Sequence, residues 1–429
     1  MNALTIPTTR PNAPRSPTPI IDKFVELAKE KGTPVIAVIF NYRLGLPGLL
    51  TSQELREAGY PANNALLDQK TCFRWLKKYI GGFGGDPDSI TAVGQSAGAI
   101  SICYHLQSSE PLFSQAAILG GSTFVQSPAS LDTAEAIYNK VTDSLKQADL
   151  SPNDRINALV TANEDEILGQ ADFTLGLNVV ADGQVVPDAV SFDGLLKDSD
   201  TIFPGKQWCE RLLIVQGNFE SSIMGFLVLA PKKNGIAKVF CDSMTQTFES
   251  NPAIEQLLHL YELSVDTDDD AALVFITAYL NDLFFYTPAC LLATLWPKGY
   301  VGNFNEGNPW DGPNRGKSNH MLDTALLWQQ YNDRLSPSQV GVAEAYATDL
   351  AAFVAGLNKF PLFKESNQLV VWGPSDGGVT RQVASRSEAA SGRRPEFFGI
   401  MEALGGLPAL FAAHRAFCDN LYSASRSQS

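Results

Sequence analysis

The sequence is poor in several residue types, and each shortage removes a class of function. Six cysteines are spread through 429 residues with no Cys-x-x-Cys pair, and only four histidines accompany them. That set gives no structural zinc pattern. No run of 18 apolar residues occurs, so no membrane-crossing helix is expected. The closest stretch, Phe397–Ala413, is broken by Glu402, three glycines and Pro408. Basic charge is also short: 32 Lys+Arg stand against 46 Asp+Glu, a net −14. Such a surface repels phosphate backbones and anionic lipid, which excludes nucleic acid as a partner. The first nineteen residues contain five prolines, no glycine and no apolar core of a signal peptide. As written, the chain reads as soluble and cytoplasmic.

What is present is a core. Hydrophobic residues make up 45% and charged residues 18%, the balance of a packed globular chain. Apolar runs alternate with amphipathic helices, which predicts an α/β fold with a mainly parallel central sheet flanked by helices. Residues 19–31 place Ile20, Ile21, Phe24, Val25 and Leu27/Ala28 on one helical face. The run Pro34–Phe40 is continuous and β-branched, suited to a strand buried on both faces. Residues 64–80 predict a second helix, 89–93 a strand and 212–215 another. Asp268, Asp269 and Asp270 precede an apolar run and read as the acidic start of a helix. The expected organisation is a Pro-rich N-terminal remnant (1–18), one domain (19–383) and a partly ordered tail (384–429).

Gly94-Gln95-Ser96-Ala97-Gly98 is a Gly-x-Ser-x-Gly at a strand-to-helix junction. There the serine hydroxyl projects from a sharp turn, and flanking glycines relieve the crowding that a Cβ would cause. A serine nucleophile needs a base. His105 lies too far along the same helix, His259 sits in an apolar helical run and His414 falls in the tail. His320 lies in the polar loop Gly316–His320 just before a helical run, and is the base by elimination and context. A carboxylate should lie between the two in the chain. Glu220 follows the strand at 212–215 and fits best; Asp242 and the acids of 266–270 remain open.

In order, the motifs Asn41–Gly45, Leu66–Gln69, Phe83–Pro87, Gly94–Gly98, Gly121-Ser122, Gly217–Glu220, Asn308–Trp310 and the His320 loop resemble the type-B carboxylesterases. This is the cholinesterase- and lipase-like branch of the α/β-hydrolases, and the likeness, strongest to fungal members, covers about residues 19–372. It implies a serine hydrolase that cleaves small carboxylic esters through an acyl-enzyme, without metal or organic cofactor. Ser96 would be nucleophile, Glu220 acid and His320 base, with Ala97 giving an oxyanion-hole N–H. The resemblance further implies a buried ion pair between Arg43 and Asp68.

Two departures from that pattern stand out. Gln95 replaces the usual glutamate before the nucleophile, which disfavours cationic choline-type esters. The His-Gly-Gly-Gly-type loop that completes the oxyanion hole is absent, as is the strand before it, which should lie between the strands at 34–40 and 89–93. One lost donor typically costs about 10²–10³ in rate. The first residues could replace the strand, its two neighbours could close up, or the natural protein could be longer; the last is the expectation. The absent loop favours the rival reading, a non-catalytic cholinesterase-like interaction domain, against which stand Ser96, Glu220 and His320.

Overall fold

The computed structural model describes residues 2–8, 21–169, 177–187, 190, 192–249, 251–389 and 392–427. Eight strands form one sheet: β1 (Asn2–Thr8), β2 (Val35–Asn41), β3 (Ile90–Gln95), β4 (Gln115–Leu119), β5 (Arg211–Gly217), β6 (Lys298–Phe304), β7 (Gln368–Trp372) and β8 (Arg381–Ser385). Their order is β2-β1-β3-β4-β5-β6-β7-β8. Every neighbouring pair is parallel except β7 with β8.

The strand expected to be missing is therefore supplied by the chain's own first residues. β1 runs beside β2 from Asn2↔Val35 to Thr8↔Asn41, and beside β3 from Ala3↔Ile90 to Thr5↔Ala92. The backbone groups of β2 and β3 thus find partners, and the gap does not exist. Pro7, which has no N–H to give, lies beyond the stretch paired on both sides. Residues 9–20, the rest of the Pro-rich segment and of the expected helix start, lie outside the described residues.

The sheet is buried from both sides because its side chains alternate. Ala116 and Ile118 of β4 and Leu212 and Ile214 of β5 enter one core, with Phe73, Ile102, Tyr279 and Phe417. Ala117, Leu119, Leu213 and Val215 enter the other, with Phe24, Leu326, Tyr346 and Trp372. Helices Asp22–Glu30 and Pro337–Val354 cover the second face, and helices Asn64–Tyr79 and Ala97–Leu106 cover the first. This two-sided burial accounts for the unbroken apolar runs of the central strands.

The acidic triplet starts a helix as expected: Asp268 caps Asp269–Asn281 by accepting from the N–H groups of Asp270 and Ala271. That helix continues to Leu295, and Asp269–Leu295 is long and apolar enough to cross a membrane. Of its most apolar window 78% is buried inside the protein, as in a core helix. Phe397–Ala413 instead falls across two helices, Glu396–Ala403 and Gly406–Ser427, bent by 84°. These helices also order most of the tail, because Phe397, Leu410, Ala413 and Phe417 are fully buried against the first core.

Candidate active site

The site sits at the carboxyl ends of β3, β5 and β6, the edge where open parallel sheets gather functional groups. β3 ends at Gln95 and helix Ala97–Leu106 begins at once, so a single residue, Ser96, makes the turn. Its backbone takes φ 53° and ψ −117°, a region that costs a non-glycine residue about 1–3 kcal/mol and is held only by its surroundings. One restraint is the Ser96 N–H, which donates to the Leu119 carbonyl at 2.9 Å. Another is Gly94, where an added Cβ would lie 2.5 Å from the Gly98 carbonyl oxygen. The turn presents the Ser96 hydroxyl at the sheet edge and leaves the Ala97 N–H in the first helical turn, where no intrahelical acceptor reaches it.

Glu220 comes from the turn after β5 and is completely buried. Gly120, with φ +55°, leaves it space, since a Cβ there would lie 2.7 Å from Oε2. His320 lies on the loop between β6 and helix Leu322–Leu327. That loop is laced to the Glu220 turn through backbone: Phe219 N–H donates to the Ser318 carbonyl at 3.0 Å. Ser318 N–H donates to Asn218 Oδ1 at 3.1 Å, and His320 N–H donates to Ser222 Oγ at 3.2 Å. Asn218, Ser222 and Ser318 were not singled out in the sequence; their pairing crosses about 100 residues of chain, and no local pattern announces it.

The structure brings Ser96, His320 and Glu220 into one hydrogen-bonded chain. His320 Nδ1 lies 2.6 Å from Glu220 Oε2, and His320 Nε2 lies 2.9 Å from Ser96 Oγ. Glu220 Oε1 accepts from the Gly217 N–H at 2.7 Å. A carboxylate on Nδ1 fixes the proton there, which turns the Nε2 lone pair towards the serine hydroxyl. Gln95 Nε2 also approaches His320 Nε2, at 3.3 Å. Burial alone would push the imidazole pKa down. The hydrogen bond and charge of Glu220, with the charge of Asp323, outweigh it and hold His320 above its ordinary 6.5.

Asp323 is a further buried carboxylate at the site. Its Oδ1 accepts from the Thr324 N–H at 2.7 Å, while Oδ2 has no partner among the described residues. Burial, and then the Glu220 charge, raise its pKa. It stands three residues after His320, and a signal for it was available only as an acid on the first turn of the following helix.

The other candidates lie elsewhere. His105 is buried, bonded to Gln69 Oε1 at 2.8 Å, and pushed down to about 3 by burial and the nearby Lys70 charge. His414 lies 3.4 Å from Cys418 Sγ in the last helix, and His259 is exposed. Asp242 pairs with Lys238 on the surface, and Asp268 caps a helix whose first turn holds Asp269 and Asp270. Among the described residues no group of three or more His, Cys, Asp or Glu is placed to hold a metal ion. The Arg43–Asp68 pair forms, with two side-chain bonds of 2.8 Å, but it is not buried. The side chains are 51% and 26% exposed.

A parallel sheet of this order, with a serine elbow after β3 and acid and histidine loops after β5 and β6, defines an α/β-hydrolase. A PNB esterase structure superposes on 91% of this chain and 81% of its own with a TM-score of 0.65 at 20% identity, a likeness of fold. Residues 23–375 match the model of the carboxylesterase family, and the chain belongs to that family. Similar proteins include a para-nitrobenzyl esterase of Bacillus subtilis, 26% identical over 273 residues, which are 61% of this chain and 50% of the relative. Esterase B1 of Culex pipiens is 44% identical over 92 residues, 21% of this chain and 17% of the relative. The chain thus spans half or less of the length of these curated relatives.

Proposed function

We propose that this chain hydrolyses carboxylic esters through a serine acyl-enzyme, with Ser96 as nucleophile, His320 as general base and acid, and Glu220 as its partner. The supporting observation is the chain of hydrogen bonds from Ser96 Oγ through both ring nitrogens of His320 to Glu220, at 2.9 and 2.6 Å. Ser96 Oγ attacks the ester carbonyl carbon while its proton passes to His320 Nε2. The carbonyl oxygen becomes an oxyanion, to which the Ala97 N–H donates. Collapse breaks the bond to the alcohol oxygen, which leaves with the proton from Nε2. Water then repeats the sequence on the acyl-serine, releasing the acid and restoring Ser96. Glu220 keeps the Nδ1–H tautomer and balances the imidazolium charge.

Hydrolysis of a short-chain p-nitrophenyl ester by the purified chain tests the proposal. Turnover should fall on the order of 10⁴-fold or more in both Ser96→Ala and His320→Ala. A folded parent without turnover, or variants as active as the parent, would contradict it and favour an interaction role.

A further inference from the structure

The residue before the elbow is an amide at a position where it meets the reacting nitrogen of His320. With Nδ1–H given to Glu220, neutral His320 offers one lone pair at Nε2. Two donors converge on it: the Ser96 hydroxyl at 2.9 Å and the Gln95 side-chain N–H at 3.3 Å. The shorter bond belongs to the hydroxyl, so the amide is the secondary partner. Once the ring takes the serine proton the lone pair is gone and Nε2–H becomes a donor. An amide N–H facing it then opposes donor to donor. The same amide carries a carbonyl at its other end, and its terminal torsion is broad and roughly two-fold.

We propose that Gln95 is a positioning residue whose side-chain amide donates to Nε2 of neutral His320 and turns end for end to accept from the imidazolium. It thereby keeps the ring aligned with Ser96 through both proton transfers without adding a charge. A carboxylate in its place could only accept, and would raise the ring's pKa. The charged groups facing His320 are Glu220 from the β5 turn and Asp323 from helix Leu322–Leu327. Arg393 lies behind Glu220, within range of its charge, and Lys317 of the same loop lies over the Phe219 ring at 4.3 Å. From β3 only the neutral Gln95 reaches the ring, so a charge introduced there has a direct effect.

The inference rests on His320 being the base, and two separate readouts test it. In the first, NMR titration of the His320 ring is compared in Ser96→Ala and in Ser96→Ala/Gln95→Glu, where no turnover is needed. The added carboxylate should move the midpoint up by about one pH unit or more. In the second, the acid limb of kcat/KM should rise by the same amount in Gln95→Glu. Gln95→Met, which keeps the length but loses both bonds, should lower kcat about tenfold with KM unchanged. A His320 midpoint indifferent to Gln95→Glu, or a Gln95→Met enzyme with parental kcat, would overturn the assignment. Loss of the esterase reading would appear differently, as an absence of turnover in the parent while the NMR comparison still decides the role of Gln95.

Discussion

Glu220 has both carboxylate oxygens engaged: Oε2 by His320 Nδ1 at 2.6 Å and Oε1 by the Gly217 N–H at 2.7 Å. This double engagement makes Glu220→Gln informative. The Gly217 N–H requires an oxygen, so the new amide must turn its nitrogen towards His320. A donor facing Nδ1 forces the proton onto Nε2, where the ring can no longer accept from Ser96. The expected outcome is a fall in kcat of about 10⁴-fold with little change in KM or thermal midpoint. Steady-state kinetics beside a melting curve would check it; a loss below tenfold would contradict the tautomer argument.

The pH profile follows from the same pair. His320 serves as base only when neutral, so kcat/KM should drop as pH falls through its pKa. Glu220 and Asp323 together raise that pKa above 6.5 against the effect of burial. The acid limb should therefore lie above pH 6.5, and activity should be largely lost by about pH 5. A limb well below 6.5 would show that burial outweighs the two acids.

The N-terminal strand makes a separate prediction. Thr5 is paired with Val38 on one side and Ala92 on the other. Thr5→Pro removes a ladder donor inside the sheet and should cost about 3 kcal/mol or more. Urea denaturation measures this directly. An unchanged midpoint would mean that the strand contributes little to stability.

The Arg43–Asp68 ion pair offers a contrast. Because Arg43 and Asp68 are 51% and 26% exposed, Arg43→Ala should cost only about 0.2–1 kcal/mol. A truly buried pair would cost about 3–5 kcal/mol when broken. Denaturant midpoints for Arg43→Ala and Asp68→Ala separate the two cases.

Much of this arrangement was legible in the sequence, and for physical reasons. The strands at 90–95 and 211–217 are buried on both faces, so their apolar runs are continuous, whereas the strand at 35–41, whose β-branched run reads the same way, is the outermost of the sheet and only half-buried beyond Val35. The Gly-x-Ser-x-Gly turn demands small neighbours, and Gly94 meets that demand against the Gly98 backbone. β1 was not legible: a short stretch that contains Pro7 has no periodicity, and its place in the sheet is set by partners 33 to 87 residues away. The lacing of Asn218 and Ser222 to the His320 loop was hidden for the same reason. The exposure of the Arg43–Asp68 pair depends on what packs around it, which spacing does not encode.

The most direct measurement of the central claim is covalent labelling with a fluorophosphonate, followed by peptide mapping. The account predicts one adduct per chain, on the peptide carrying Ser96, slowed by His320→Ala and abolished by Ser96→Ala. A folded chain that takes no label, or takes it at another residue, would contradict the assignment of Ser96 as the nucleophile.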